Sequence, residues 1–138
     1  MSRAFLAGRA AAILPGAMLL AIVGATPGAA TDWSQAQPVT VIASEYRFSP
    51  DTLTFKRGVT YRLHIENRGK ELHEFHAPAF FKAVALADPA VLNADQTEIL
   101  IAPGDAKDLI FVAKKAGHYR LICSDHDWTG MTGAITVK

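Results

Sequence analysis

The segment T-Y-R-L-H-I-E-N, residues 60 to 67, alternates apolar and polar side chains without a break. A period of two places Tyr61, Leu63 and Ile65 on one face and Thr60, Arg62, His64 and Glu66 on the other, which suits a strand with one buried and one wet side. Similar short runs fill the chain from Pro38 onward: Val39 to Ala43, Thr52 to Lys56, His73 to Ala77, Glu98 to Ala102, Lys107 to Ala113, Gly117 to Cys123 and Gly133 to Lys138. Turn formers separate them at Ser49-Pro50-Asp51, Arg57-Gly58, Asn67 to Lys70, Pro103-Gly104-Asp105 and Ala116-Gly117. Eight such segments predict an all-β fold, an eight-stranded Greek-key sandwich of two sheets. One stretch departs from the pattern. Phe80, Phe81, Val84 and Ala87 are spaced as a helix face that stops at Asp88-Pro89, predicting a short helical insertion over residues 79–87.

The first thirty residues have a different character. Arg3 and Arg9 precede an apolar run from Ala10 to Val23, and small residues lead to Gly28-Ala29-Ala30. This is the layout of a secretory signal peptide over residues 1–30, and the run is shorter than the roughly 20 residues a membrane span requires. No membrane span is expected after cleavage, and a periplasmic location is. Residues 31–37 read as a flexible N-terminal arm, and residues 38–138 as one domain large enough to bury a core. Without residues 1–30 the chain carries 12 basic and 13 acidic residues. No basic face for nucleic acid is implied.

Cys123 is the single cysteine, so no internal disulfide can form. A free thiol in an oxidising compartment needs burial, pairing or a metal to protect it. It stands in C-S-D-H-D-W-T-G-M, residues 123 to 131, whose Met131 is the only methionine beyond the leader. In the preceding strand Tyr119, Leu121 and Cys123 share the inward face, so the thiol opens a loop that also carries His126 and Met131. A soft thiolate, an imidazole and a weak thioether match the ligand set of a blue-copper site, which needs a second histidine. His73 is the best candidate on strand phase, with His76 the runner-up; His64 and His118 fall on wet faces. A Cys/His nucleophile lacks an evident orienting group and cleft, and zinc seldom takes a thioether. Trp128 is read as loop packing.

The stretch G-H-Y-R-L-I-C-S-D-H-D-W-T-G-M-T-G-A-I-T-V is similar to the C-terminal block of the cupredoxins, in particular the plastocyanin and pseudoazurin branch of small blue copper proteins. N-R-G-K-E-L-H-E-F resembles the segment ending in that family's first histidine ligand, and Y-R-F-S-P-D-T-L-T-F-K-R-G its N-terminal hairpin. The resemblance covers roughly residues 38 to 138. It implies one copper ion held by His73, Cys123 and His126, with Met131 as weak axial ligand. A binuclear site would need a second cysteine. Glu74 stands where such proteins commonly carry an asparagine that ties the ligand loops together. Asp125 and Asp127 flank His126, whose edge usually lies in an apolar docking patch.

The resulting expectation is an exported electron carrier, not an enzyme. It would be a monomer meeting a redox protein such as a c-type cytochrome or an oxidase. The alternative is a periplasmic copper-binding protein serving copper tolerance or delivery.

Overall fold

The computed structural model describes residues 30–138. The leader expected over residues 1–30 therefore lies outside the described residues, apart from Ala30. Among the described residues no helix is long and apolar enough to cross a membrane. Within 31–37 the structure has a 3-10 turn at Trp33–Gln35, capped by the Asp32 carboxylate accepting from Ser34 N–H at 3.0 Å.

Ten strands follow: β1 (Gln37–Ser44), β2 (Arg47–Ser49), β3 (Thr52–Phe55), β4 (Thr60–Asn67), β5 (His73–His76), β6 (Val84–Leu86), β7 (Glu98–Ile101), β8 (Ala106–Ala113), β9 (Gly117–Ile122) and β10 (Thr132–Val137). They form two five-stranded sheets, in the order β2-β1-β4-β8-β6 and β3-β10-β9-β5-β7. The expected sandwich is present, with ten strands instead of eight. β1 runs parallel to β4 and β3 parallel to β10, and every other pairing is antiparallel. Because β2 and β3 belong to different sheets, as do β4 and β5, the chain closes one core between the two layers.

That core is built from the period-two positions. Tyr61, Leu63 and Ile65 of β4 are buried against Leu109 and Phe111 of β8, as the alternation requires. Phe111 is the hub of an aromatic group, edge-on to Phe55 at 5.0 Å and to Phe80 at 5.3 Å between ring centroids. Each such ring, fully buried, contributes on the order of 1.5–3 kcal/mol by removing apolar surface from water.

The helical insertion over 79–87 is corrected. A single turn, α1 (Pro78–Phe81), starts with proline at its first position and buries Phe80 and Phe81. The chain then extends into β6, with Val84 opposite Ala113 and Leu86 opposite Phe111. One turn has too little helical cooperativity to continue unaided. The free edge of β8 offers the next residues hydrogen-bond partners instead; Ala87 N–H donates to the Ile110 carbonyl at 2.9 Å.

Two features place the end of the sandwich that carries the candidate ligands. β5 pairs with β9 only through His76 opposite Ile122, so His73 and Glu74 run beside the loop that follows β9. Asn67, buried at the end of β4, donates from Nδ2 to the Glu71 carbonyl at 2.7 Å and the Ile101 carbonyl at 2.8 Å. Its Oδ1 accepts from Gly69 N–H at 2.8 Å. The β4–β5 loop is thereby fastened to β7 just ahead of His73.

Candidate metal centre

Cys123 follows the last residue of β9, and the chain from there to Met131 folds back on itself. Cys123 N–H donates to the Met131 carbonyl at 3.0 Å, while the His126 carbonyl accepts from Thr129 N–H at 3.0 Å and Met131 N–H at 3.3 Å. A 3-10 turn, Asp127–Thr129, ends at Gly130, whose φ of +90° is a left-handed conformation that favours glycine. The thiol and Met131 are both fully buried.

The structure brings His73, Cys123 and His126 together, each offering a ligand atom within 4.8 Å of the others. His126 Nδ1 lies 3.2 Å from Cys123 Sγ, and His73 Nδ1 lies 3.9 Å from it. His73 is fully buried, and the His126 side chain is 12 % exposed. His76 lies outside the cluster, its Nδ1 paired with Glu98 Oε2 at 3.1 Å. His64 pairs with Asp108 and His118 with the Thr136 hydroxyl.

Burial, and next the hydrogen bond to Glu74, pushes the Cys123 thiol up to about 11. Glu74 is itself buried, and its Oε2 accepts from Sγ at 2.9 Å. Its backbone N–H donates to Sγ at 3.5 Å, and the same carboxylate accepts from Asp125 N–H at 3.4 Å. Glu74 thus ties the two ligand segments together, the task the resemblance assigns to an asparagine.

Three residues at the site were not singled out in the sequence. Glu71 Oε2 sits 2.8 Å from His126 Nε2, and Glu71 Oε1 accepts from the Tyr46 hydroxyl at 3.0 Å. The Tyr46 ring lies 4.9 Å from the His126 ring. Glu45 Oε1 accepts from Lys70 N–H at 2.5 Å and Glu71 N–H at 2.9 Å, and these donors, Glu71 first, hold its carboxyl below the usual carboxylate range. The same oxygen is 3.4 Å from His73 Nε2, without the alignment of a hydrogen bond; that buried nitrogen has no partner among the described residues. Glu71 lies two residues before His73, in the loop ahead of β5, where no strand period marks it. Glu45 and Tyr46 come from the β1–β2 turn, where no local pattern marks them.

Asp125 and Asp127 are exposed, and the carboxylates that touch the cluster are Glu45, Glu71 and Glu74. Trp128, expected to pack within the loop, is corrected: it is 82 % exposed, with Nε1 donating to the Asp125 carbonyl at 3.0 Å.

Two imidazole nitrogens turned toward one buried sulfur, with an orphaned ring nitrogen behind, form a donor set that suits a thiophilic metal. A β-sandwich with this cluster at one end defines a class of small metal-binding domain. The chain belongs to the cupredoxin-like domain family, which matches residues 14–137. It is 33 % identical over 105 residues to the copper-resistant cuproprotein CopI of Rubrivivax gelatinosus, an alignment covering 71 % of this chain and 64 % of that protein. The chain thus spans less than two-thirds of that relative's length. Among solved structures, the fold resembles dithionite-reduced auracyanin from the photosynthetic bacterium Roseiflexus castenholzii, with a TM-score of 0.56 and 16 % identity over 75 % of this chain and 98 % of that one. It also resembles a multicopper oxidase from Campylobacter jejuni, with a TM-score of 0.58 and 16 % identity over 82 % of this chain and 32 % of that one. The fold implies copper binding, and His73, Cys123 and His126 fit such a site.

Proposed function

We propose that the chain is an exported protein with a mononuclear type 1 copper site, acting as a one-electron carrier and not as an enzyme. The observation that carries this reading is the buried convergence of His73 Nδ1, His126 Nδ1 and Cys123 Sγ. His73, Cys123 and His126 would hold one copper ion, with Met131, buried in the same loop, as weak axial ligand. Bound there, copper supplies the Cu(I)/Cu(II) couple.

The protein's own contribution is placement. Hydrogen bonds across the 123–131 loop and the Asn67 clamp hold the donors at one end of the sandwich, on β5 and on the loop that follows β9 in the same sheet. Burial excludes water from the sulfur, and Glu74 N–H points at it. His126 is the least buried of the three donors, so a redox protein such as a c-type cytochrome or an oxidase would approach there. A monomer is sufficient for that encounter, and a periplasmic location accords with the leader read in the sequence.

The test is to add one equivalent of Cu(II) to the purified mature protein and record its visible spectrum, with Cys123→Ser in parallel. An intense thiolate-to-copper band that needs Cys123 is expected; a colourless wild type would remove the type 1 reading.

A second reading, copper tolerance or delivery, draws support from the relative named as a copper-resistant cuproprotein. Reduction kinetics with a c-type cytochrome, set beside the copper sensitivity of a strain lacking the gene, separate the two. Fast exchange without sensitivity favours the carrier, and sensitivity with slow exchange favours tolerance.

A further inference from the structure

We propose that Glu71 is a positioning residue for His126, held in place by Glu45 and Tyr46, and that this carboxylate–histidine pair sets how firmly the site retains copper. The inference rests on the copper reading above and concerns residues to which the sequence pattern assigned no role.

Four hydrogen bonds build the arrangement, and one glycine makes room for them. Gly69 comes first: a Cβ there would collide with the Glu45 carboxylate, so the absent side chain is what lets that carboxylate reach into the β4–β5 loop. Glu45 Oε1 then accepts the N–H groups of Lys70 and Glu71, fixing the backbone from which the Glu71 side chain departs. Tyr46, the next residue of the same turn, donates its hydroxyl to Glu71 Oε1 at 3.0 Å. The remaining Glu71 oxygen, Oε2, meets His126 Nε2 at 2.8 Å, with the Tyr46 ring beside the imidazole.

The consequence follows from the valence of imidazole. A neutral ring carries one N–H, and if Nε2 donates it to Glu71 the lone pair is left on Nδ1. Nδ1 is the nitrogen 3.2 Å from Cys123 Sγ. Glu71 thereby selects the tautomer and ring orientation that present a lone pair to the metal position, before any metal arrives. Carboxylates placed in this way behind ligand histidines also raise their basicity, and their loss typically weakens metal binding about 10- to 100-fold. Glu71 is half exposed, with a side chain 48 % accessible, so its removal leaves no buried hole.

The test uses the full mature chain as wild type, Glu71→Ala, Glu71→Gln and Tyr46→Phe. Without copper, the His126 Nε2–H resonance, protected by its hydrogen bond, is expected in the wild type and in Glu71→Gln, whose amide oxygen still accepts. In Glu71→Ala it is expected to vanish through exchange with water. With Cu(II), chelator competition should show binding about 10- to 100-fold weaker in Glu71→Ala, a smaller loss in Tyr46→Phe, and substantial rescue in Glu71→Gln. Thermal unfolding of the copper-free variants should stay close to wild type, which excludes general loop damage. A Glu71→Ala variant that binds within twofold of wild type, or retains the Nε2–H signal, overturns the proposal. If the wild type itself binds no copper, the underlying copper reading fails instead, and the copper-free spectra still decide whether Glu71 holds His126.

Discussion

Two histidines in this molecule pair with a carboxylate at 2.8 Å, and only one belongs to a site. His64, on the outer face of β4, pairs through Nδ1 with Asp108 Oδ1; the other Asp108 oxygen accepts from Arg62 at 2.7 Å. His126 pairs through Nε2 with Glu71 Oε2. The contact is alike in kind, and the difference lies in what the second ring nitrogen meets. Nδ1 of His126 faces a buried thiol with a second imidazole behind it, whereas His64 stands on a half-exposed surface patch outside the cluster. A carboxylate–histidine pair therefore signals nothing by itself. It orients a ligand only where the rest of the fold has brought further donors to the opposite side of the ring.

The contrast can be broken most severely at its centre. Cys123→Ser should abolish the thiolate-to-copper band entirely, because the hydroxyl of serine does not ionise at neutral pH to replace the soft ligand; absorption spectroscopy after adding one equivalent of Cu(II) reads this directly. His126→Ala should remove tight copper binding, while His64→Ala should leave the affinity within about twofold, since outer-shell effects of about 10- to 100-fold require contact with a ligand. Chelator competition on the two variants side by side would collapse the comparison if both lost copper alike.

Smaller effects sharpen it. Asn67→Ala strips the three hydrogen bonds that fasten the β4–β5 loop, which carries Glu71, to β7 just ahead of His73. It should cost about 1–3 kcal/mol in urea unfolding, and an unchanged midpoint would show that the clamp is redundant. Asp108→Asn should cost no more than about 0.2–1 kcal/mol, the range of exposed ion pairs. Its sign with pH is definite. Hydrogen bonding to Arg62, and more weakly to His64, holds the folded carboxyl below its ordinary value against the opposing effect of burial. The stabilisation is therefore full above the unfolded pKa of about 3.9 and is lost as pH falls through the folded one. Wild type and variant should differ at pH 7 and converge in acid; a gap that widened in acid would reverse the assignment.

How much of this was legible depended on length and on locality. β4 was read with its observed bounds because eight residues of alternation leave no other register. β2 and β6 were not, because three residues are too few to show a period. Residues 79–87 carried a helix-like spacing that one turn of α1 satisfied, and the free edge of β8 decided the rest. At the site, Cys123, His126 and Met131 lay within one nine-residue loop, and His73 could be selected on strand phase. Glu45 and Tyr46 could not, since they come from a turn some 26 residues before Glu71, with no composition or period to mark them.

From residues alone came the strand faces, the inward thiol and the types of donor available, because those follow from a period of two and from the chemistry of sulfur and imidazole. Only the tertiary structure decided which carboxylates stand behind the ligands. Asp125 and Asp127 border His126 in the chain yet point to solvent, while Glu71 covers the imidazole and Glu74 ties the thiol. The physical reason is that strand phase is a local property of the chain, whereas the ring of acceptors around a ligand is set by how two sheets and three loops meet at one end of a sandwich.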